Sequence, residues 1–307
     1  MKVRVLVTGG AGFLGQHVVA RLARGFDVTS CSRRSGVDIR EYGAIEQHLL
    51  GLRPDYVVHC AAHVGGIAYN EQKPVEIFED NIRIGLNIVK ACAAAKVKGL
   101  INIMPNCTYP GHLQIYREEN WWDGPMHETV LTYGMPRKAM WGLAWAYKQR
   151  GLLDSAHLVL PNMYGPGDHF DPVRSHALGA LIAKIHEAKR ENAASVAIWG
   201  TGKPVREWLF VEDAAEAIEL ALLKFHAIGV DVLNIGKGEG ISITDMAVLI
   251  REAVGWRGEF VYHPDRPDGA MIKVLSPEKM LRVLGWSPAT GMGDGIAKTV
   301  RWYVANR

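Results

Sequence analysis

Residues 8–15 read Thr-Gly-Gly-Ala-Gly-Phe-Leu-Gly, immediately after the apolar run Val3–Val7 and immediately before the amphipathic stretch Gln16–Arg24. Gly9, Gly12 and Gly15 thus form a G-x-x-G-x-x-G turn between a short strand and the start of a helix. Glycine serves where the chain turns tightly with φ > 0 and where backbone must approach a pyrophosphate, and a helix N-terminus presents free N–H groups to phosphate charge. The segment Gly9, Gly12, Phe13, Leu14 and Gly15 is therefore expected to hold a dinucleotide. A second short strand, Asp27 to Ser32, follows the helix, as a βαβ unit requires.

The same alternation continues. Strands are expected at Val3–Val7, Val28–Cys31, Tyr56–Ala61, Leu100–Met104 and His157–Leu160, with helices near 12–24, 41–51, 75–96, 134–150 and 175–190. Continuous hydrophobic strands separated by helices imply right-handed crossovers and a parallel sheet covered on both faces. The expected fold is α/β: a doubly wound parallel Rossmann sheet over 1–165 and a smaller C-terminal α/β substrate lobe over 166–307, partly interwoven with it. Beyond about residue 165 the pattern loosens, with strands at Val196–Trp199, Val232–Ile235 and Phe260–Tyr262 and a helix Ile243–Val254 opening on Ser242 or Thr244 as N-cap.

The 35 basic and 32 acidic residues are dispersed without the stripe a polyanion surface needs, so a nucleic-acid role is not expected. Nothing approaches the ~20 apolar residues of a membrane span, and Met1-Lys2 leads straight into a strand; a cytoplasmic location is expected. The four cysteines, Cys31, Cys60, Cys92 and Cys107, are too scattered for a disulfide or zinc framework, and no metal is expected. Val75–Lys96, with the Trp141/Trp145 face of the 134–150 helix, reads either as core or as half of a homodimeric four-helix bundle.

Four further segments fall in a telling order: Ala61-Ala62-His63-Val64-Gly65-Gly66-Ile67, Asn106-Cys107-Thr108-Tyr109-Pro110, Tyr133-x-x-x-Arg137-Lys138 and Pro161-Asn162-Met163-Tyr164-Gly165-Pro166. They are joined by Gly-Pro-x-Asp-x-Phe at 165–170, Ser175-His176, His186-Glu187-Ala188, Trp199-Gly200-x-Gly202-x-Pro204-x-Arg206-Glu207 and Pro267-Asp268-Gly269. With these residues the chain resembles, nearly end to end, the extended short-chain dehydrogenase/reductase superfamily, and within it the GDP-L-fucose synthase family of epimerase/reductases.

The resemblance implies a base and an acid that invert carbons beside a sugar 4-ketone, followed by hydride delivery from NADPH and protonation by a tyrosine. Tyr133 matches that tyrosine, whose pKa near 10 is to be lowered by a lysine one helical turn on. Here that position is Arg137. It is expected to depress the phenol electrostatically and to bond a ribose hydroxyl, without joining a proton relay. Lys138 lies about 100° around the helix and cannot replace it. Where the superfamily has a serine or threonine to hold the ketone, this chain has Pro105, which has no donor, leaving Asn106 or Thr108 as substitutes. Cys107 matches the epimerising base and His176 the acid. His17, His48, His59, His112, His157 and His226 read as surface or packing residues, and His63 as positional.

The second strand ends Cys31-Ser32-Arg33-Arg34 rather than in an acid, which suits the 2′-phosphate of NADP, with NAD the alternative. The resemblance implies further cofactor contacts at Asp38, Ile39, Ala61, Ala62, His63, Tyr133, Arg137, Pro161, Asn162 and Met163. It also implies a nucleotide-diphosphate sugar site, taken as GDP, at Asn162, Lys184, Trp199, Arg206, Asp268 and Lys273. The leading expectation is an NADP-dependent epimerase/reductase of a GDP-4-keto-(6-deoxy) sugar. An epimerase that has lost net reduction through Pro105 and Arg137 is the alternative, and a non-catalytic nucleotide-sugar or NADP sensor is a third.

Overall fold

The computed structural model describes every residue except Met1, residues 172–174 and Pro267, with the backbone alone at Ile67 and Ala68. The first half runs β1 (Arg4–Thr8), α1 (Phe13–Leu22), β2 (Asp27–Cys31), α2 (Tyr42–Leu52), β3 (Tyr56–His59), α3 (Ile67–Gln72), α4 (Pro74–Ala94), β4 (Gly99–Pro105), β5 (Ile115–Tyr116), α5 (Leu131–Gln149), β6 (Ser155–Leu160) and β7 (Asn162–Tyr164). The second runs α6 (Ala177–Arg190), β8 (Ser195–Trp199), β9 (Val205–Arg206), β10 (Trp208–Phe210), α7 (Val211–Leu223), α8 (Phe225–Ile228), β11 (Val232–Asn234), β12 (Ile241–Ser242), α9 (Ile243–Val254), β13 (Glu259–His263), β14 (Ile272–Leu275), α10 (Glu278–Leu284) and α11 (Met292–Ala305).

The central sheet has six strands in the order β11-β6-β4-β3-β1-β2, all parallel. From β1 the chain moves outward to β2 and then crosses to β3 on the other side, so the order reverses between β1 and β3. A crevice opens there at the carboxyl ends of the strands. Alternate residues divide the sheet between two cores. Val5, Val7, Val58, Ile101 and Leu158 pack with α1 and α7, whereas Leu6, Val57 and Leu100 pack with α2, α4 and α5. Helices α4 and α5 pack closely at Gly85, where a Cβ would lie 3.0 Å from Met140 Cβ.

Two features depart from the expected order. A helix, α7, stands where the pattern after 165 had been read as loosened; its alanines and leucines favour a helix, and Glu212 and Asp213 lie in its first turn, where acids complement the helix dipole. It packs on α1 and delivers β11, which pairs with β6 inside the central sheet. Trp141 is also not on an outward face: its indole N–H donates to Val230 O at 2.9 Å and its ring packs against Trp121, Trp122 and His157.

A third core joins α6, α9 and α11 to β8 and β10 through Leu178, Ile182, Met246, Ile250, Ile296 and Val300. Helix α9 is capped by Ser242, whose hydroxyl accepts the Asp245 N–H at 3.0 Å. A small sheet, β12-β9-β14-β5, carries Arg206, Lys273 and Tyr116 on neighbouring strands.

Candidate active site

The turn after β1 is shaped by missing side chains. Gly9 has φ +71°, and a Cβ on it would lie 2.8 Å from the Ala61 backbone nitrogen; one on Gly15 would lie 2.1 Å from the Gly9 carbonyl oxygen. Gly12 is different, since only the Gly9 oxygen, at 3.1 Å, stands near its missing Cβ. It is the N-cap of α1, with no side-chain cap and no acidic residue in the first turn. The positive end of the helix is therefore open toward a phosphate, and Phe13 and Leu14 serve that end with their backbone while Leu14's side chain is core.

Arg33 and Arg34 sit exposed on the 3₁₀ turn after β2, and neither is in an ion pair among the described residues. Asp38 is clamped by Arg40 (Nη2–Oδ2 2.6 Å), whose hydrogen bonds hold its carboxyl below the usual carboxylate range. Arg40 also reaches Asp80 at 3.1 Å, Asp80 holds His63 Nδ1 at 2.8 Å, and His63 Nε2 meets the Tyr69 hydroxyl at 2.9 Å. Asn81 brackets the His63 backbone, accepting its N–H at 3.1 Å and donating to its carbonyl at 2.8 Å. His63 is thus positional. The Ile39 side chain is core, 5 % exposed, and its carbonyl accepts from Asn87 Nδ2 at 2.9 Å. Of the loop after β6, Pro161 is buried while Asn162 and Met163 are half-buried on β7, in register with Trp208 and Leu209.

Tyr133 and Arg137 lie one turn apart on α5. Arg137 is 2 % exposed, its guanidinium driven between the carboxyl ends of β3 and β4. Its Nη2 donates to Asn102 Oδ1 at 3.1 Å and to the Ile103 carbonyl, its Nη1 to the Ala61 carbonyl at 3.5 Å, and its Nε finds no acceptor. These bonds hold the guanidinium at the sheet edge and leave its Nε N–H without an acceptor among the described residues. The Tyr133 phenol is not lowered. Burial pushes its pKa up to about 12 against the pull of Arg137, so the phenol is a proton donor.

Cys107 lies on the 3₁₀ turn Asn106–Thr108 after β4. Burial raises its pKa to about 12, opposed by Lys273, a backbone hydrogen bond and Arg137, so the expected thiolate is a thiol here. Thr108 is fully buried; its hydroxyl donates to Pro105 O at 2.8 Å and accepts from Trp121 Nε1 at 3.0 Å, so it cannot replace the donor missing at Pro105. Asn106, half-buried on the same turn, is left as the substitute. Lys138 faces away from this corner, bonded to the Trp121 carbonyl and, at 3.4 Å, the Thr108 carbonyl, with Nζ 4.2 Å from the Trp122 ring centre; burial lowers its pKa to about 8. His176 is the N-cap residue of α6, and burial, then the charge of His169, lowers its pKa, leaving a neutral ring.

Lys273 and Arg206 are register partners on β14 and β9. Burial lowers both pKa values; the two cations oppose each other, and Cys107 and Tyr116 respectively favour their charge. These groups are brought together. Trp199 is 70 % exposed at the end of β8 with the Arg266 guanidinium over its ring at 5.5 Å. Asp268 accepts both the backbone N–H (2.7 Å) and hydroxyl (2.6 Å) of Thr201, and Lys184, exposed on α6, donates to Ala197 O at 3.0 Å. Pro267, next to Asp268, lies outside the described residues.

The sequence profile of the NAD dependent epimerase/dehydratase family matches residues 5–236. The chain belongs to this family. Among its relatives is a probable GDP-L-fucose synthase 1 of Oryza sativa subsp. japonica, 34% identical over 99% of this chain and 92% of that one. Among solved structures, a GDP-6-OMe-4-keto-L-xylo-heptose reductase from C. jejuni superimposes with TM-score 0.91 at 25% identity, covering 100% of this chain and 99% of that one. A GDP-L-fucose synthetase from Naegleria fowleri bound to NADP gives TM-score 0.87 at 26% identity, covering 99% and 94%.

Sequence reasoning missed Tyr69, Asp80 and Asn81 around His63, and Asn102 behind Arg137. The signal for the last was present: Asn102 interrupts Leu-Ile-x-Ile-Met in a strand buried on both faces, and His59 and His157 interrupt their neighbours in the same way.

Proposed function

We propose that the protein is an NADP-dependent epimerase/reductase acting on a GDP-4-keto-(6-deoxy) sugar. The observation that carries this reading is the meeting of Cys107, Tyr133, Arg137, Lys273 and Arg206 at the end of β4, beside the glycine cradle. The open N-terminus of α1 and the space over Gly12 fit a pyrophosphate, and Arg33 and Arg34 fit a 2′-phosphate. When bound there, the nicotinamide supplies hydride to the ketone carbon.

The protein's own groups do the proton work. Cys107 takes the proton from a carbon made acidic by the neighbouring ketone, its ionisation favoured by the charges of Lys273 and Arg137, and His176 serves the opposite face. Tyr133, protonated in this environment, donates to the ketone oxygen, with Asn106 as the remaining side-chain donor on the turn. Lys273 and Arg206 neutralise the sugar-nucleotide diphosphate, Trp199 offers its exposed ring to the base, and Asp268 and Lys184 line the rim. Reduction belongs to this proposal because Tyr133 keeps its proton and Arg137 keeps a cation where the superfamily has a lysine; epimerisation alone, or sensing, leaves that arrangement without use.

The division into a cofactor domain over 1–165 and a substrate lobe over 166–307 belongs to the proposal, as does a cytoplasmic location; no helix among the described residues is long and apolar enough to cross a membrane. A homodimer through a four-helix bundle of α4 and α5 is supported by the apolar groups these helices leave exposed, Val75, Leu86, Met135 and Trp145. Incubation with NADPH and a panel of GDP-4-keto sugars in D₂O tests the reading: deuterium uptake reports inversion and loss of NADPH absorbance reports reduction. Neither signal with any sugar overturns it.

A further inference from the structure

Four polar side chains occupy one row across the parallel sheet. Thr8, His59, Asn102 and His157 are register partners on β1, β3, β4 and β6, and all are completely buried. Matching positions on parallel strands point to one face, here that of α4 and α5. Buried polar groups are costly unless bonded, and these bonds run in one direction. Arg137 Nη2 donates to Asn102 Oδ1, which turns the amide nitrogen toward His157 Nδ1 at 3.2 Å. An accepting Nδ1 leaves the ring proton on Nε2, which meets Ser155 Oγ at 3.0 Å. His59 Nδ1 is 2.8 Å from the Thr8 hydroxyl.

No acid closes this chain. Arg137 is in no ion pair among the described residues; Tyr133, Cys60 and Cys107 face it from the open side and His59 and His157 from the sheet. Burial and the charge of Arg137 lower both histidines, His157 to about 3, so neither adds charge. Cys107 itself is faced by Lys273, Arg137, Tyr116 and Tyr133. An aspartate at 102 would accept the same hydrogen bond and cancel the cation. An asparagine accepts it and does not.

We propose that Asn102, oriented by His157, is a positioning residue that holds Arg137 as an uncompensated cation at the sheet edge, so that its field falls on Cys107 and Tyr133. The role assigned to those two groups rests on the function proposed above, but the test reads the thiol directly. Alkylation of Cys107 by iodoacetamide is followed peptide by peptide by mass spectrometry on the full chain, without substrate, from about pH 7 to 10. Asn102→Asp, nearly isosteric, should slow it about tenfold or more at fixed pH. In an Arg137→Leu background the same change should alter the rate by no more than about twofold, because no cation is left to cancel.

If Asn102→Asp fails to fold, the His157 pair decides: His157→Leu, which leaves the Asn102 amide nitrogen only the weak acceptor Met104 Sδ, 3.1 Å away, should slow alkylation several-fold, while His157→Gln, which can still accept, should match the unmodified protein. Equal rates in Asn102→Asp and the unmodified protein, slowing that survives Arg137→Leu, or equal rates in the two His157 variants overturn the proposal. Loss of substrate exchange in the unmodified protein with the alkylation pattern intact overturns the functional reading alone.

Discussion

At the end of β1 the chain makes room by leaving side chains out; two strands over, at the end of β4, it fills the space with ionisable ones. The first region is set by backbone geometry, in which Gly9, Gly12 and Gly15 form one short turn whose Gly9 end packs directly against the Cys60–Ala61 backbone after β3. In the second, Cys107, Tyr133 and Arg137 take their protonation from burial and from one another, and Cys107 also from Lys273, which arrives 166 residues after it in sequence. The cradle thus takes its shape from glycines and close backbone approach, whereas reactivity is assembled from side chains far apart in sequence.

The largest effect should break the cradle and spare the corner. Gly15→Val places carbon where 2.1 Å already separates a Cβ from the Gly9 oxygen, and should weaken NADPH binding more than about 100-fold by fluorescence titration, while Cys107 alkylation changes little. Strong NADPH binding by this variant would remove the glycine turn from the cofactor site.

Breaking the corner alone comes next. Cys107→Ser should cut deuterium uptake into a 4-keto sugar by about 10²–10⁴-fold with NADPH affinity unchanged, since a serine hydroxyl ionises far less readily than a thiol and so supplies almost no anionic base. Because the thiol starts near 12, exchange in the unmodified protein should rise with pH across the neutral range as thiolate becomes populated. Undiminished uptake assigns the base elsewhere.

A smaller change sharpens the cradle. Arg33→Ala with Arg34→Ala should remove about 1.5–3 kcal/mol of charge-assisted binding and bring NADPH and NADH to similar affinity. An unmodified protein already indifferent to the two cofactors contradicts the assignment.

The smallest effect is on stability. Asp168, 8 % exposed, accepts the His169 N–H at 2.7 Å through one oxygen while the other has no hydrogen-bond partner among the described residues, and burial raises its pKa to about 7. A carboxyl raised above its unfolded value near 4 keeps its proton in the native state while the unfolded chain loses it. Its contribution therefore falls between about pH 4 and 7 and stays low above. Asp168→Asn should flatten that slope and raise stability at pH 8 by about 1–3 kcal/mol, or several degrees in Tm. An identical pH profile of Tm in both proteins shows that the carboxyl finds a partner.

The same division explains what could be read from the chain. The cradle and helix α9 with its Ser242 cap were legible because each follows from spacing within one segment, the parallel sheet from the alternation of strands and helices, and the corner's membership from the resemblance of several separate segments to one family. Orientation within the corner was not. Thr108 and Asn106 are neighbours, and only Trp121, folded back over the turn, shows that the threonine hydroxyl is spent. Arg137 announced its presence at the lysine position, yet its alignment into the sheet depends on Asn102, 35 residues away. Helix α7 has helix-favouring composition, but it stands between the three-residue strands β10 and β11, which are too short to mark a strand–helix–strand unit by periodicity.

Strand β11 and helix α7 also govern when this protein can fold at all. Until residues 211–234 have been synthesised, β6 is an open edge and the apolar face of α1, with Leu14, Val18 and Leu22, lacks the alanine-rich helix that covers it. An exposed strand edge beside uncovered leucines invites pairing with other chains, and parallel pairings that span long sequence separations form slowly. A growing chain paused near residue 165 should accordingly behave as a client for chaperones rather than as a folded domain, and fragments cut there should aggregate.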